Sequence, residues 1–174
     1  LQSVDVVHSF WLPQLAGKVD VIPGQLNYIW LEADRPGQYS GQCAEFCGTA
    51  HAWMKIIAIA QSPADYTAWL QQQQLPAQQP AAGDAAAGYQ LFMNGTCRNC
   101  HAISGSPADA DIGPNLTHFA SQSVLAGGEL TNTPANLKRW LTAPQAIKPG
   151  NHMPNFDLSS QQVNLLTAYL ESLR

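Results

Sequence analysis

The chain has little charge, no long apolar run and no basic stretch. Lys, Arg, Asp and Glu together make up only 11% of its 174 residues, and the formal net charge is −4. Without a stripe of Lys and Arg it lacks the electrostatic footprint of a nucleic-acid binder. No segment approaches the roughly 18 consecutive apolar residues of a membrane helix, and no signal-peptide pattern opens the chain. Divided near residue 75, the first part holds three Lys/Arg against six Asp/Glu and the second five against six. The acidity therefore sits mostly on the first part. It could steer a basic partner in a salt-dependent way, but surface charge kept for solubility is the simpler reading.

What is present is concentrated in two short stretches. The first is Gly41-Gln-Cys43-Ala-Glu45-Phe-Cys47-Gly-Thr-Ala-His51-Ala-Trp53-Met54, which sets two thiols, an imidazole and a thioether at Cys-x3-Cys-x3-His-x2-Met spacing. Soft sulfur donors beside imidazole select copper over hard cations. Two cysteines can bridge two coppers, each taking one His, with His8 supplied from upstream and with Met54 and a backbone carbonyl as weak outer ligands. Three other readings stay open on the residues alone. Cys43 and Cys47 could form a disulfide, serve half of a structural zinc site, or be small buried hydrophobes.

The second stretch, Cys97-Arg-Asn-Cys100-His101, is the c-type haem attachment signature, in which the thiols add to the vinyl groups and the His ligates iron. A chance match or a redox CxxC pair is the alternative. Gly88 to Phe92 precedes it as an amphipathic helix, with Gly88 permitting close helix approach. Gly113-Pro114-Asn115-Leu116 follows it, where the Pro114 carbonyl could orient the His101 ring. The sixth iron ligand is expected in Lys148-Pro-Gly-Asn-His-Met153-Pro, a run that resembles the Met-Pro ligand loop of class I cytochromes c; His152 and His118 are the rivals. Met/His ligation suits a high-potential electron carrier.

Secondary structure is expected to divide the same way. Val4 to Phe10 and Lys55 to Ala60 read as strands. Gln25 to Glu32 alternates with Leu26, Tyr28 and Trp30 on one side and Ile29 and Leu31 on the other, as in a strand covered on both faces. Ser62-Pro63 starts a helix whose Tyr66, Trp69 and Leu70 would pack on the barrel. Thr133-Pro134 and the Ser159 to Gln162 capping-box spacing start two more. The last carries the stripe Val163, Leu166, Tyr169, Leu170 and Leu173. Gln71 to Ala87 lacks large apolar residues beyond Leu75 and reads as a flexible linker. The expected domains are thus 1–70, partial and all-β, and 88–174, all-α. Trp11 and Trp53 flank the first stretch and are expected to pack and exclude water.

Residues 1 to about 70 resemble subunit II of cytochrome c oxidase, through His8-Ser-Phe-Trp11-Leu-Pro13, Lys18 to Gly24 and Pro36 to Cys43. The resemblance implies a cupredoxin-like barrel or sandwich followed by a cytochrome c fold. It implies a copper A site held by His8, Cys43, the Glu45 carbonyl, Cys47, His51 and Met54, with the Glu45 carboxylate helping to bind magnesium against subunit I. Asp5 and Asp20 become docking candidates. The implied function is electron transfer from a soluble cytochrome or other respiratory donor through haem c and copper A to subunit I, which reduces oxygen and pumps protons. The setting would be the periplasmic face of a bacterial plasma-membrane complex with other membrane subunits. The chain alone would be a carrier without substrate chemistry. Two other functions are the copper A subunit of a nitric or nitrous oxide reductase and a copper delivery module. Because Leu1 to Val7 reads as a strand already entering a core, the expectation is a longer protein, or a second chain, supplying further strands.

Overall fold

The computed structural model describes residues 1–174 and divides them into a sheet and a helical bundle. Strands β1 (His8–Trp11), β2 (Lys18–Val21), β3 (Gly37–Cys43) and β4 (Lys55–Ala60) form one antiparallel sheet in the order β2-β1-β3-β4. Its register does the positioning, since Phe10 lies opposite Cys43 and Gln42 opposite Lys55. The chain between β3 and β4 is therefore held at both ends of its loop, and β1 runs beside it. Gly41 is needed at the crossing: a Cβ there would overlap the Trp11 carbonyl oxygen.

Several expectations for this half change. Strand β1 begins only at His8, and Val4 is 97% exposed, because Val4 to Val7 bends away instead of pairing. Gln25 to Glu32 forms no strand ladder, and Tyr28 and Trp30 stand in solvent. Its backbone bonds go to the chain start, where the Asn27 N–H donates to the Leu1 carbonyl. The apolar pattern there has no neighbouring strand among these residues to receive it. The sheet stays a single open layer and does not close into a barrel.

Helix α1 (Pro63–Gln73) starts as expected, with the Ser62 hydroxyl accepting from the Asp65 N–H and Pro63 at the first position. It does not pack as expected. Tyr66, Trp69 and Leu70 are all exposed; Tyr66 and Trp69 lean on one another at 5.7 Å between ring centres. The presumed linker is also shorter and better held. Gln71 to Gln73 finish α1, and Gly83 already opens α2 (Gly83–Asn94). Between them Ala77 is buried, its N–H donating to the Ser104 carbonyl at 2.9 Å.

The second half has a true core. Helix α2 crosses α5 (Ser160–Leu170) at Gly88, where a Cβ would overlap the Leu165 carbonyl oxygen, and α3 (Pro134–Thr142) and the short α4 (Pro144–Ile147) complete the bundle. Val163, Leu166, Tyr169, Leu170 and Leu173 are all buried, as the stripe requires. Thr133 caps α3, and the Ser159–Gln162 capping box on α5 is formed in both directions. One element departs from an all-helical domain. A ribbon of β5 (Val124–Leu125) and β6 (Leu130–Thr131) turns through Ala126, Gly127 and Gly128, all at positive φ. No helix is long and apolar enough to cross a membrane.

Candidate functional site

Strand register and one loop bring the first set of donors together. His8 opens β1, Cys43 closes β3, and Met54 directly precedes β4; Cys47 and His51 lie on the loop between, His51 in a single helical turn with Trp53. From His8 Nδ1 to Cys43 Sγ is 3.9 Å, from Cys43 Sγ to Cys47 Sγ 3.8 Å, and from Cys47 Sγ to His51 Nδ1 3.6 Å. Met54 Sδ stands 3.9 Å from Cys47 Sγ, and the Glu45 carbonyl accepts from Cys43 Sγ at 3.2 Å. All six expected ligands meet there. Both cysteines are free. Two sulfurs at 3.8 Å can each reach a metal placed between them at a bond of about 2.3 Å, the usual thiolate length to a first-row cation. The donor set, soft sulfur with imidazole and no carboxylate, fits a copper pair better than zinc.

The electrostatics of the cluster set which donors must give up a proton when a metal binds. Burial pushes the Cys43 thiol up, but hydrogen bonds from the Ser9 and Glu45 backbone and from His8 and Cys47 outweigh it and bring it down to about 7. The neighbouring Cys47 thiol is raised to about 11, first by burial and then by Cys43. The two thiols titrate as a pair, the first proton leaving much more easily than the second, and Cys43 is the better placed to lose it. His8 carries a partner that the sequence reading missed. Its Nε2 lies 2.8 Å from the Asp5 carboxylate, which favours the imidazolium and holds Asp5 down to about 2. A carboxylate behind a ligating His fixes the ring and raises its basicity. The available signal was the i, i+3 spacing of Asp5 and His8 in a chain segment that turns back on itself.

The second set lines a cavity of about 590 Å³, within the roughly 300–1,000 Å³ usual for cofactor sites. Cys97, Cys100, His101 and Met153 all face it, with Phe92, Leu116, Leu137 and Leu141 among its apolar walls. His101 Nδ1 donates to the Pro114 carbonyl at 2.8 Å, which leaves Nε2 for a metal. Gly113 lies flat against that ring; a Cβ there would come within 2.6 Å of His101 Cε1. Gln145 donates to the Met153 carbonyl at 2.8 Å, and Asn151 accepts from the Met153 N–H, so the loop is pinned on both sides of the sulfur. Of the rival ligands, His152 lines the cavity but its side chain is exposed, and buried His118 faces a separate polar cavity beside Ser104 and Asn115. An apolar cavity with two thiols, an oriented imidazole and a thioether fits a covalently held haem.

With that geometry in hand, similarity to known proteins is informative. Residues 1–61 match the family model of the cytochrome c oxidase subunit II periplasmic domain, and residues 85–174 match that of cytochrome c. Over 175 residues the chain is 42% identical to cytochrome c oxidase subunit 2 of Alkalihalophilus pseudofirmus, covering 100% of this chain and 50% of that protein. Over 187 residues it is 37% identical to the same subunit of Bacillus sp. strain PS3, covering 100% of this chain and 52% of that protein. The chain thus spans about half the length of these relatives. A solved structure, the periplasmic domain of subunit II of cytochrome oxidase of Bradyrhizobium japonicum, aligns with 38% identity over 41% of this chain and 52% of that one, with a TM-score of 0.41. The open sheet is accordingly the cupredoxin-like part, and the bundle the cytochrome c part.

Proposed function

The chain belongs to the cytochrome c oxidase subunit II family, in the form that carries a fused cytochrome c, and from that membership we propose that it takes single electrons from an external respiratory donor and delivers them, by haem c and then copper A, to an oxygen-reducing subunit I. When bound, the haem and the copper pair supply one-electron exchange. The observation that carries this reading is the closed run of donor atoms from His8 through Cys43 and Cys47 to His51, completed by Met54 and the Glu45 carbonyl.

This chain's own residues do the rest. Cys43 and Cys47 would hold the copper pair through their sulfurs, and the buried position of Cys43, 4% exposed, keeps water from it. Asp5 orients His8, and Pro114 orients His101, so neither ring must reorient when charge changes. Trp11 and Trp53, both half-buried, fill space at the loop. Six donors gathered at one site, and His101 and Met153 both lining the other cavity, would hold the copper pair and the haem iron as electron carriers without a place for a substrate. The exposed Glu45 carboxylate is free to hold a magnesium ion at a subunit boundary. The setting we infer is the periplasmic face of a membrane complex.

The family match supports the oxidase over a nitrogen-oxide reductase, and a saturated donor set with a buried thiol argues against a delivery protein, which must release its metal. The test is direct. A sample containing two coppers and one haem per chain should give an EPR signal shared by two copper nuclei, and flash reduction of the haem should be followed by reduction of the copper pair. A single-copper signal, or haem that stays reduced beside oxidised copper, would overturn the assignment.

A further inference from the structure

The two sites do not merely share a chain; the copper-binding half forms part of the wall of the haem cavity. Lys55 and Ile57 of β4 line that cavity together with His101 and Met153. Lys55 follows Met54 in the sequence, so the strand leaving the copper loop runs straight to the haem site. What meets it is the tip of the β5–β6 ribbon. Lys55 Nζ pairs with Glu129 Oε2 at 2.9 Å, across 74 residues of sequence. The Glu129 side chain is only 8% exposed, and its second oxygen, Oε1, is buried without a hydrogen-bond partner. A carboxylate this buried needs its cation.

Two glycines allow the approach. At Gly128, φ +91°, an added Cβ would stand 3.1 Å from Ile57 Cδ1; at Gly150, φ +79°, it would stand 2.9 Å from Thr49 Cγ2. Thr49 belongs to the copper loop, and Gly150 to the loop that presents Met153. Lys148 closes the same corner, its Nζ 3.4 Å from the Ala126 carbonyl. The ribbon tip therefore spends left-handed backbone on Ala126, Gly127 and Gly128, a conformation costly at the alanine, to place Glu129 under Lys55.

We propose that the Ala126–Glu129 ribbon tip and the Lys148–Met153 loop are an intramolecular dock for the copper-binding half, latched by Lys55–Glu129, which holds the two sites close enough for direct electron exchange. The occupant is β4 and the copper loop of the same chain. The inference rests on the electron-carrier function proposed above: one electron leaves the haem iron, raising it from ferrous to ferric, and reduces the copper pair by one, with no proton or other reactant involved.

The experiment uses the full chain with both cofactors, comparing Lys55→Glu, Glu129→Lys and the double exchange. Small-angle scattering reads the separation of the halves, and flash reduction of the haem reads the rate at which copper follows. Each single variant should widen the molecule and slow copper reduction by at least about 10-fold, since like charges then face one another where the buried Glu129 carboxylate had its cation; the double exchange should restore both. Should either single variant lose copper, Glu129→Gln and Ile57→Glu, the latter facing Gly128, make the same test without reversing a charge at the pair. Scattering and rate both unchanged in the single variants would overturn the dock, as would a double exchange that recovers neither. A wild-type chain that passes no electron between its centres would instead sink the proposed function, while its scattering still judges the latch.

Discussion

In the helical half, fifteen buried residues form one continuous apolar cluster, including Phe92, Leu137, Leu166 and Tyr169, and the haem cavity opens into it. In the sheet half the buried apolar residues are Leu12, Val21 and Cys43, while Leu26, Tyr28, Trp30 and Phe46 face outward. The first site is therefore set by strand register and a tight loop, the second by packing. The lesson is that a ligand set can be fully assembled where little hydrophobic burial stands behind it, provided that the ladder fixes both ends of the loop. Such a site depends more on its metal for stability, because ligand bonds made only in the folded state are folding free energy.

The sharpest way to break that contrast is to remove a bridging donor. Cys47→Ser leaves the sheet its register but no second thiolate, so binding of a copper pair should be lost outright, with the shared-nucleus EPR signal gone and the haem spectrum intact. The sheet half should then melt separately and earlier. If copper content and the signal survive, the bridging role of Cys47 is wrong.

Next comes packing itself. Leu166→Ala, at a site 1% exposed in the core, should cost about 2–5 kcal/mol by denaturant unfolding of the helical half. Ile59→Ala on β4, at a site 59% exposed, should change stability by less than about 0.5 kcal/mol. Comparable losses would mean that the sheet half has a core after all.

That contrast also explains what could be read from residue order. The ligand loop was legible because its spacing is local, and so were the caps at Ser62, Thr133 and Ser159, where a side chain meets a backbone N–H three residues on. The stripe on α5 was legible because helical periodicity and burial coincide there. Gln25 to Glu32 shows the opposite case: alternation states a preference for strand, but a ladder needs a neighbour, and none of these residues supplies one. Tyr66, Trp69 and Leu70 make a helical stripe with nothing against it. The ribbon at Val124–Thr131 and the Lys55–Glu129 pair were illegible for another reason. Two residues of strand carry too little pattern, and a contact between residues 74 apart has no local signature.

A smaller and graded effect follows from the unequal thiols. Copper binds thiolates and neutral imidazole, so uptake must expel whatever protons the donors hold. With Cys43 brought down to about 7 and Cys47 pushed up to about 11, loading between those values should release the one proton that the thiol pair still holds. Below about 7 the Cys43 proton is added, and His8, held as imidazolium by Asp5 above its ordinary range, adds one more towards acid. The sign is fixed: affinity rises with pH, by about tenfold (1.4 kcal/mol) per unit for each proton released. Proton release followed by an indicator during copper titration should fall as the starting pH rises. Asp5→Asn should reduce the His8 part alone, and a release that is flat with pH would contradict the unequal titration of the two thiols.

The smallest difference expected is between two helix caps that look alike in sequence. Ser62 and Ser159 each accept from the backbone N–H three residues on, and each precedes an eleven-residue helix. Ser159 also receives its Gln162 partner in return, and α5 buries Val163, Leu166 and Tyr169, so its loss is felt by the whole bundle. Helix α1 has no buried residue and can fray without exposing a core. Ser159→Ala should therefore lower the unfolding free energy of the helical half by about 1 kcal/mol, whereas Ser62→Ala should leave the main transition unmoved and appear only as faster amide exchange in α1. Equal shifts from both substitutions would mean that α1 is coupled to the folded core, which its uncovered Tyr66, Trp69 and Leu70 speak against.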